Sequence, residues 1–410
     1  MAAELRLSGA LMIPRYTACD SLPLAVYEHG TVLKKNEVPS RDGLEAFTVK
    51  VFASAGAIAV APDYLGLGDN PGLHPYLHGN TEATATLDLI RAVREFLHDS
   101  TQIEVNSEIF VTGYSQGGHA AMATLKYVSE NGLQGEFNII GAGPASGPYH
   151  LSGSQKDVLL SGRAYSNPAY VVYLLLGMNR VYGNIFQNYS DLFKPPYDSQ
   201  LPPLFTGSNG LGPINALLPD TLRGFIRDSV LDNFASDSVQ KRHPIWQALL
   251  ANDNHDWKPT FPVELYYCTQ DEQVTFLNAL AAETAMQARG ANVNALSQGP
   301  LDHGACFLPS MQASLKLFLS LSNHCNSIGL PSMGKRGFSV FPNPASDELH
   351  FEGAAEVQQI EIIGPTGNEV YQGTIPHEGH LNVKRWPRGI YLLNVRTANG
   401  VETLRLILRP

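Results

Sequence analysis

Charge is scarce in this sequence. Only 16% of its 410 residues are charged, and acidic residues outnumber basic ones, 38 to 28, leaving a net charge of −10. No run of lysine or arginine occurs, which argues against a nucleic-acid partner. Long apolar runs are missing too. The longest in the middle of the chain, Ala169 to Met178, gives way to Asn179 and Arg180 and is too short to cross a bilayer. Cysteine is rare, and Cys19, Cys268, Cys306 and Cys325 show no zinc-ligand spacing. Cys306 and Cys325 could pair in an oxidising compartment, and unpaired buried cysteines fit the spacing at least as well. A secretory leader is not visible either. Met1-Ala-Ala-Glu-Leu-Arg has no apolar core, and Leu7 to Ile13 already reads as a strand, so the expectation is a sequence that lacks its true amino end. What remains is 44% hydrophobic residues, enough for a large core and a second domain.

Residues 113–117 read Gly-Tyr-Ser-Gln-Gly, directly after the apolar run Ile109-Phe-Val111 and directly before a helical pattern from Gly118 to Val128. This is a G-x-S-x-G elbow in the setting that gives it meaning, between a strand and a helix. The turn pushes Ser115 outward. Gly113 and Gly117 let strand and helix approach without a Cβ clash. The helix that follows aims free N–H groups at the site.

Two partners are sought downstream. Pro262 to Cys268 is strand-like and is followed by Thr269-Gln-Asp-Glu-Gln-Val274 and a helical stretch to about Arg289. A short strand candidate, Asn292 to Leu296, then leads into Leu301-Asp-His-Gly-Ala-Cys306 and a helix to about Leu321. Ser115, Asp271 and His303 thus each fall on a loop just past a strand. In a parallel sheet those loops share one edge. The spacing predicts Ser115 as nucleophile, His303 as general base and acid, and Asp271 as the group that orients the imidazole. Asp302 and Glu272 are rival acids: one sits beside the histidine in sequence, the other one step into the helix. For an oxyanion hole, the N–H of Gln116 and the N–H of Thr31 are the candidates, the latter because Leu24 to Glu28 is a strand ending in His29-Gly-Thr31. Gly30 is expected to keep that backbone close.

Strand and helix patterns alternate from Leu24 to Gly143, including the strand Ala57 to Ala61, the helix Glu82 to Leu97 and the strand Phe137 to Gly141. That is a βαβ pattern and predicts an α/β fold with a mostly parallel sheet between helix layers. Regularity fails from about 149 to 257, where Tyr165, Tyr170, Tyr173, Phe186, Tyr189, Phe193, Phe205, Phe225 and Trp246 sit among proline and glycine breaks. A structureless loop of that length is implausible, so the segment reads as an inserted helical cap over Ser115. A minority of its apolar residues should line an acyl or aryl pocket.

With Tyr27-Glu-His-Gly-Thr31, Ala61-Pro-Asp-Tyr-Leu-Gly-Leu-Gly68, Asp256-Trp-Lys-Pro259 and Gln270-Asp-Glu-Gln-Val274 added to the elbow, residues 1–322 resemble the α/β-hydrolase superfamily. Within it they are most similar to the secretory lipase and esterase-like branch. The resemblance implies serine-dependent hydrolysis of carboxylic esters through an acyl-enzyme, with no cofactor and no metal. It does not fix the ester. The family's first sheet strand has no counterpart in the sequence.

Residues 323–337 have the composition of a linker. From 338 to 410 come short alternating runs: Glu348–Phe351, Val357–Ile363, Glu369–Gln372, His380–Val383, Gly389–Val395 and Thr403–Leu408, separated by turns such as Pro365-Thr-Gly367 and Asn399-Gly400. They predict a small all-β, immunoglobulin-like sandwich. Val340-Phe-Pro-Asn-Pro-Ala-Ser-Asp347, Ile360 to Gly367, Pro387 to Val395 and Leu404-Arg-Leu-Ile-Leu408 resemble the C-terminal sorting domain of the Por-type (type IX) secretion system of Bacteroidota. That implies export across the outer membrane through the secretion machinery.

Other residues are expected to be structural. Asp63 follows a strand and reads as a hydrogen-bonding group in a turn. His74 and His78 are spaced i, i+4, but Pro75 interrupts them and no third ligand is near. His119 rides the helix after the elbow and should pack or cap. Two alternatives to a secreted ester hydrolase stay open: a serine peptidase on the same fold, and a non-catalytic surface binding protein.

Overall fold

In the computed structural model, residues 6–14, 19–101, 103–324, 339–352, 357–364, 368–376, 379–397 and 400–409 are described. The chain divides into two units, Met1–Ile328 and Gly329–Pro410.

The first unit is built by alternation. β1 (Gly9–Met12), β2 (Ser21–Glu28), α1 (Leu44–Ser54), β3 (Ile58–Pro62), α2 (Gly79–Ser100), β4 (Glu104–Tyr114), α3 (Gln116–Glu130) and β5 (Ile139–Ala145) follow one another, and β6 (Val263–Tyr267) and β7 (Val293–Ser297) come after a long excursion. They form one seven-stranded sheet in the order β1-β3-β2-β4-β5-β6-β7. β1 is antiparallel to β3, and every other pair is parallel. The reason lies in β2, where every residue but the first is buried. A strand apolar on both faces needs a helix layer above and below, and parallel crossovers supply them.

α2 shows how the layers are fixed. Ala83, Leu87, Ile90, Val93 and Leu97 lie on its buried face, at helical spacing. Its first N–H groups are capped by other side chains: Gly79 N donates to Asn252 Oδ1 at 2.8 Å and Thr81 N to His78 Nδ1 at 3.4 Å. Each buried Leu or Ile adds roughly 2 kcal/mol of apolar burial. The strand expected from Phe137 starts later, at Ile139. Phe137 instead closes the turn after α3, donating its N–H to Leu133 O at 2.9 Å with its ring fully buried.

Between β5 and β6 the chain is mostly helical, with helices Ala169–Tyr182, Asp228–Ser236 and Pro244–Ala251. Val172, Leu175, Phe193, Leu201, Phe225 and Trp246 of this stretch are buried in an apolar core that Leu33, Tyr76 and Leu77 join from earlier in the chain. Most of its aromatics are spent there; Tyr189 is exposed. Its two ends meet: Asn254 N donates to Tyr149 O at 2.8 Å.

Cys306 pairs with Cys268, with Cα atoms 5.9 Å apart, and not with Cys325. The 19-residue helix His303–Leu321 starts just before Cys306, and at 1.5 Å per residue it carries the chain about 28 Å onward. Cys325 and most of the 323–337 stretch lie outside the described residues, as do Met1 to Leu5 and the turns at 365–367 and Asn399.

The second unit holds β8 (Ser339–Phe341), β9 (Glu348–Glu352), β10 (Val357–Ile363), β11 (Glu369–Gly373), β12 (His380–Asn382), β13 (Gly389–Thr397) and β14 (Gly400–Leu408). They make two antiparallel sheets, ordered β11-β10-β13-β14 and β12-β9-β8. Alternating residues such as Leu349, Ile360, Ile362, Leu393, Val395 and Leu406 share one buried core, as a two-sheet sandwich requires. Residues read as a motif in the sequence hold each other here. Ile407 N donates to Asn343 Oδ1 at 2.9 Å, Ala345 N to Ile407 O at 2.8 Å, and Tyr391 OH to Pro387 O at 2.6 Å.

Candidate active site

Ser115 stands between β4 and α3 with φ 59° and ψ −118°, a left-handed conformation that a serine adopts at some strain. The flanking glycines make the turn feasible. A Cβ on Gly113 would come 2.2 Å from Gly117 O, and one on Gly117 would come 1.9 Å from Glu28 O. Gly30 is different. A Cβ there would meet nothing nearer than 3.6 Å, so the close approach expected of it is not a steric demand.

The three loops meet. Ser115 Oγ and His303 Nε2 are 2.9 Å apart, and His303 Nδ1 lies 2.7 Å from Asp271 Oδ2. An ionised carboxylate only accepts, so the Nδ1 proton belongs between His303 and Asp271 and leaves Nε2 free to accept the serine hydroxyl. The other Asp271 oxygen, Oδ1, accepts from the N–H groups of Gln273 at 3.0 Å and Val274 at 2.8 Å. Asp271 therefore also closes the local turn. Ser115 and His303 are 7% and 6% exposed, and the Tyr114 ring tilts against the imidazole at 5.1 Å. The Tyr114 hydroxyl donates to the His303 carbonyl.

The rival acids have other partners. Asp302 caps the His303 helix by accepting from Ala305 N at 2.8 Å. Glu272 lies ahead of the next helix, which begins at Leu277, and accepts from His303 N at 3.0 Å. Burial would raise its carboxyl, but that N–H and the Gln273 amide hold it below its ordinary range.

Gln116 is the first residue of α3, so its N–H has no partner within the helix. Thr31 follows β2, and its hydroxyl shares a 2.9 Å hydrogen bond with Tyr76 OH. Behind them lies a buried polar network. The Gln116 amide nitrogen reaches Glu82 Oε1 at 2.9 Å and His74 Nε2 at 2.6 Å. His74 Nδ1 is 2.8 Å from Leu65 O. Since a carbonyl only accepts, His74 is neutral with its proton on Nδ1; burial lowers its pKa to about 4. Glu82 Oε2 is 2.7 Å from His119 Nδ1, both side chains fully buried. Burial pushes the Glu82 carboxyl up, and His119 with the Gln116 amide more than offsets it, leaving it below its usual range. His119 is thus a buried partner of Glu82. His78 caps α2, and Asp63 accepts from Ser8 Oγ, Ser40 N and Ser40 Oγ. Neither His74 nor His78 belongs to a group of three metal-ligating residues among those described.

A cleft opens at Ser115, walled by Tyr76, Leu77, Pro148, Tyr170 and Val274 among others, with no carboxylate in its lining. A larger apolar cavity lies within the excursion and does not touch Ser115. The two share Leu151, Gln155, Leu159, Val171 and Leu174 as a common wall.

Residues 39–152 match the family described as secretory lipase, and residues 339–409 match the secretion system C-terminal sorting domain. Among solved structures, the rice cell wall degrading esterase LipA from Xanthomonas oryzae is 30% identical with a TM-score of 0.67; the match covers 76% of this chain and 85% of that one. Candida antarctica lipase A, 19% identical with a TM-score of 0.55 over 77% of this chain and 74% of its own, shares the fold. A comparison with curated proteins returned no match. The secretory family and the sorting domain mark a secreted or cell-surface protein. The chain belongs to the secretory lipase and esterase branch of the α/β-hydrolases, a lipase- or esterase-like hydrolase with a type IX sorting domain behind it.

Proposed function

We propose that the chain is a serine carboxylic ester hydrolase that works through an acyl-enzyme. The observation that carries this reading is the line Ser115 Oγ, His303, Asp271, with contacts of 2.9 and 2.7 Å. Ser115 attacks the ester carbonyl while His303 Nε2 takes its proton. The N–H groups of Gln116 and Thr31 receive the oxyanion. Collapse expels the alcohol, protonated by His303. Water then repeats the sequence and frees the acid. Asp271 keeps the tautomer and stabilises the imidazolium.

Residues 1–322 form the catalytic domain in this reading, with 149–257 as its cap, 323–337 as linker and 338–410 as the part that engages the secretion machinery. The acyl chain lies in the apolar cavity at Ser115 and extends across the shared wall toward the larger one. The carboxylate-free lining supports an acyl ester over an amine-bearing peptide.

The test is hydrolysis of p-nitrophenyl esters from acetate to palmitate, with polymer-bound esters added because the related Xanthomonas enzyme degrades rice cell wall. Ser115→Ala is expected to lose at least about 10⁴-fold in kcat and all labelling by a fluorophosphonate. Equal turnover by the folded variant would overturn the assignment.

A further inference from the structure

A cluster of donor groups lies away from Ser115, His303 and Asp271. One donor atom each from His150, Asp253 and His255 lies within 4.8 Å of the other two, a grouping unique among the described residues. We propose that these three side chains bind a divalent zinc-class ion where the excursion leaves and rejoins the sheet.

Several features show a site already part-built. His255 Nδ1 is buried and has no hydrogen-bond partner. A buried ring nitrogen left without a partner needs an explanation, and an absent ion is one. The rings of His150 and His255 stack at 3.8 Å and 27°. Gly153 makes the room: a Cβ there would lie 1.9 Å from His150 Cε1 and 2.1 Å from its Nε2. His150 Nδ1 accepts from Ser154 N at 3.4 Å in the metal-free chain, which leaves its proton on Nε2; ligation at Nε2 requires that proton to move to Nδ1, where Ser154 Oγ at 3.3 Å can accept it. Asp253 is held from behind, accepting from Ser152 N at 3.0 Å and Ser152 Oγ at 2.5 Å. Such outer hydrogen bonds are what orient metal ligands.

Two imidazoles and one carboxylate suit Zn²⁺, with water as a fourth ligand, better than the oxygen-seeking Ca²⁺ or Mg²⁺. Bonds of ~2.0–2.1 Å in a tetrahedron put donors about 3.3 Å apart, so the rings swing inward on binding. Two groups nearby set the charge. Lys126 Nζ donates to the Asp253 carbonyl at 2.8 Å and opposes a cation, while Asp256 is already paired with Arg289 at 2.5 and 2.8 Å.

The position gives the ion a role. His150 lies where the chain departs, Asp253 and His255 where it returns, and the Asn254–Tyr149 hydrogen bond sits between them. An ion there ties the two strands of that neck together.

The experiment uses the full chain stripped with a chelator and titrated with Zn²⁺ by calorimetry, in parallel with His255→Gln and His150→Gln. The first variant removes a nitrogen that has no partner but also the stack on His150, so circular dichroism checks the fold of both. One ion per wild-type chain is expected, with affinity at least about 100-fold lower in each variant and ester turnover of the metal-free proteins unchanged. No stoichiometric binding by folded wild type, or equal binding by both variants, overturns the proposal. Co²⁺ substitution gives a measurement that needs no variant: the wild type should show the intense visible bands of a four-coordinate ion, and the weak bands of an octahedral one would overturn it.

Discussion

Cys268 and Cys306 are joined, and each lies three residues from a residue of the Ser115 site, Cys268 before Asp271 and Cys306 after His303. The disulfide closes a loop of 38 residues around the acid and the imidazole. Chain-entropy reasoning puts such a closure at roughly 3 to 4 kcal/mol of stability. The Cys268→Ala/Cys306→Ala double variant should lose stability on that scale in urea unfolding. Its kcat should fall as well, because the 2.7 Å Asp271–His303 contact is no longer stapled. Unchanged kcat with lowered stability would confine the bridge to folding.

Gln116 carries two tasks on separate atoms. In the proposed mechanism its N–H receives the oxyanion, while its amide satisfies Glu82 and His74 inside the protein. Gln116→Ala keeps the first and removes the second. Stability should drop by about 1–3 kcal/mol, since a buried carboxylate and imidazole lose their donor. Fluorophosphonate labelling should persist at a reduced rate. Complete loss of labelling in a folded variant would show that the side chain itself is needed for the chemistry.

The shared wall of the two cavities makes chain length testable. Leu174→Trp fills it. Overpacking of this kind costs about 1–3 kcal/mol in stability. The ratio of kcat/KM for palmitate over acetate esters should fall on the order of tenfold, with acetate turnover kept. A ratio that does not move places the acyl chain elsewhere.

Glu28 gives the fold a pH dependence of definite sign. Full burial raises its carboxyl from 4.5 to about 8, with the Thr86 and Tyr64 hydroxyls pulling the other way. Its Oε2 has no partner, while Oε1 accepts from Thr86 at 2.6 Å. Between those two values the folded chain keeps a proton that the unfolded chain has released. The contribution of Glu28 to stability is therefore greatest below pH 4.5 and declines as pH rises to about 8, by at most about 1.4 kcal/mol per unit. Glu28→Gln should remove that slope. Denaturation curves of the two proteins from pH 5 to 9 that run parallel would refute it.

Much of the site was readable because it is local. Five residues define the elbow, and the parallel sheet brings loops after its strands to one edge, so order along the chain sufficed to pair Ser115 with Asp271 and His303. The second unit was readable from period-two alternation. The rest depends on contacts distant in sequence. Glu82 meets Gln116 and His119 across 34 and 37 positions. One signal was present: a glutamate on the apolar face of a helix must find a buried partner. The Cys268–Cys306 pair follows from the Asp271–His303 pairing, since each cysteine lies three residues from one of them, but the facing of two side chains at a strand end and in a helix is set only by the assembled fold. His150 and His255 are separated by the whole excursion, so no spacing rule could join them.

The narrow neck at Tyr149 and Asn254 has a consequence for descent. Closing a loop grows dearer only with the logarithm of its length, about 0.6 kcal/mol for each doubling. The closure itself is thus nearly indifferent to how long the excursion is. Residues above the neck can be lengthened, shortened or exchanged while Ser115, His303 and Asp271 are inherited together as a fixed floor. Substrate range and reaction chemistry can therefore drift at different speeds in one gene.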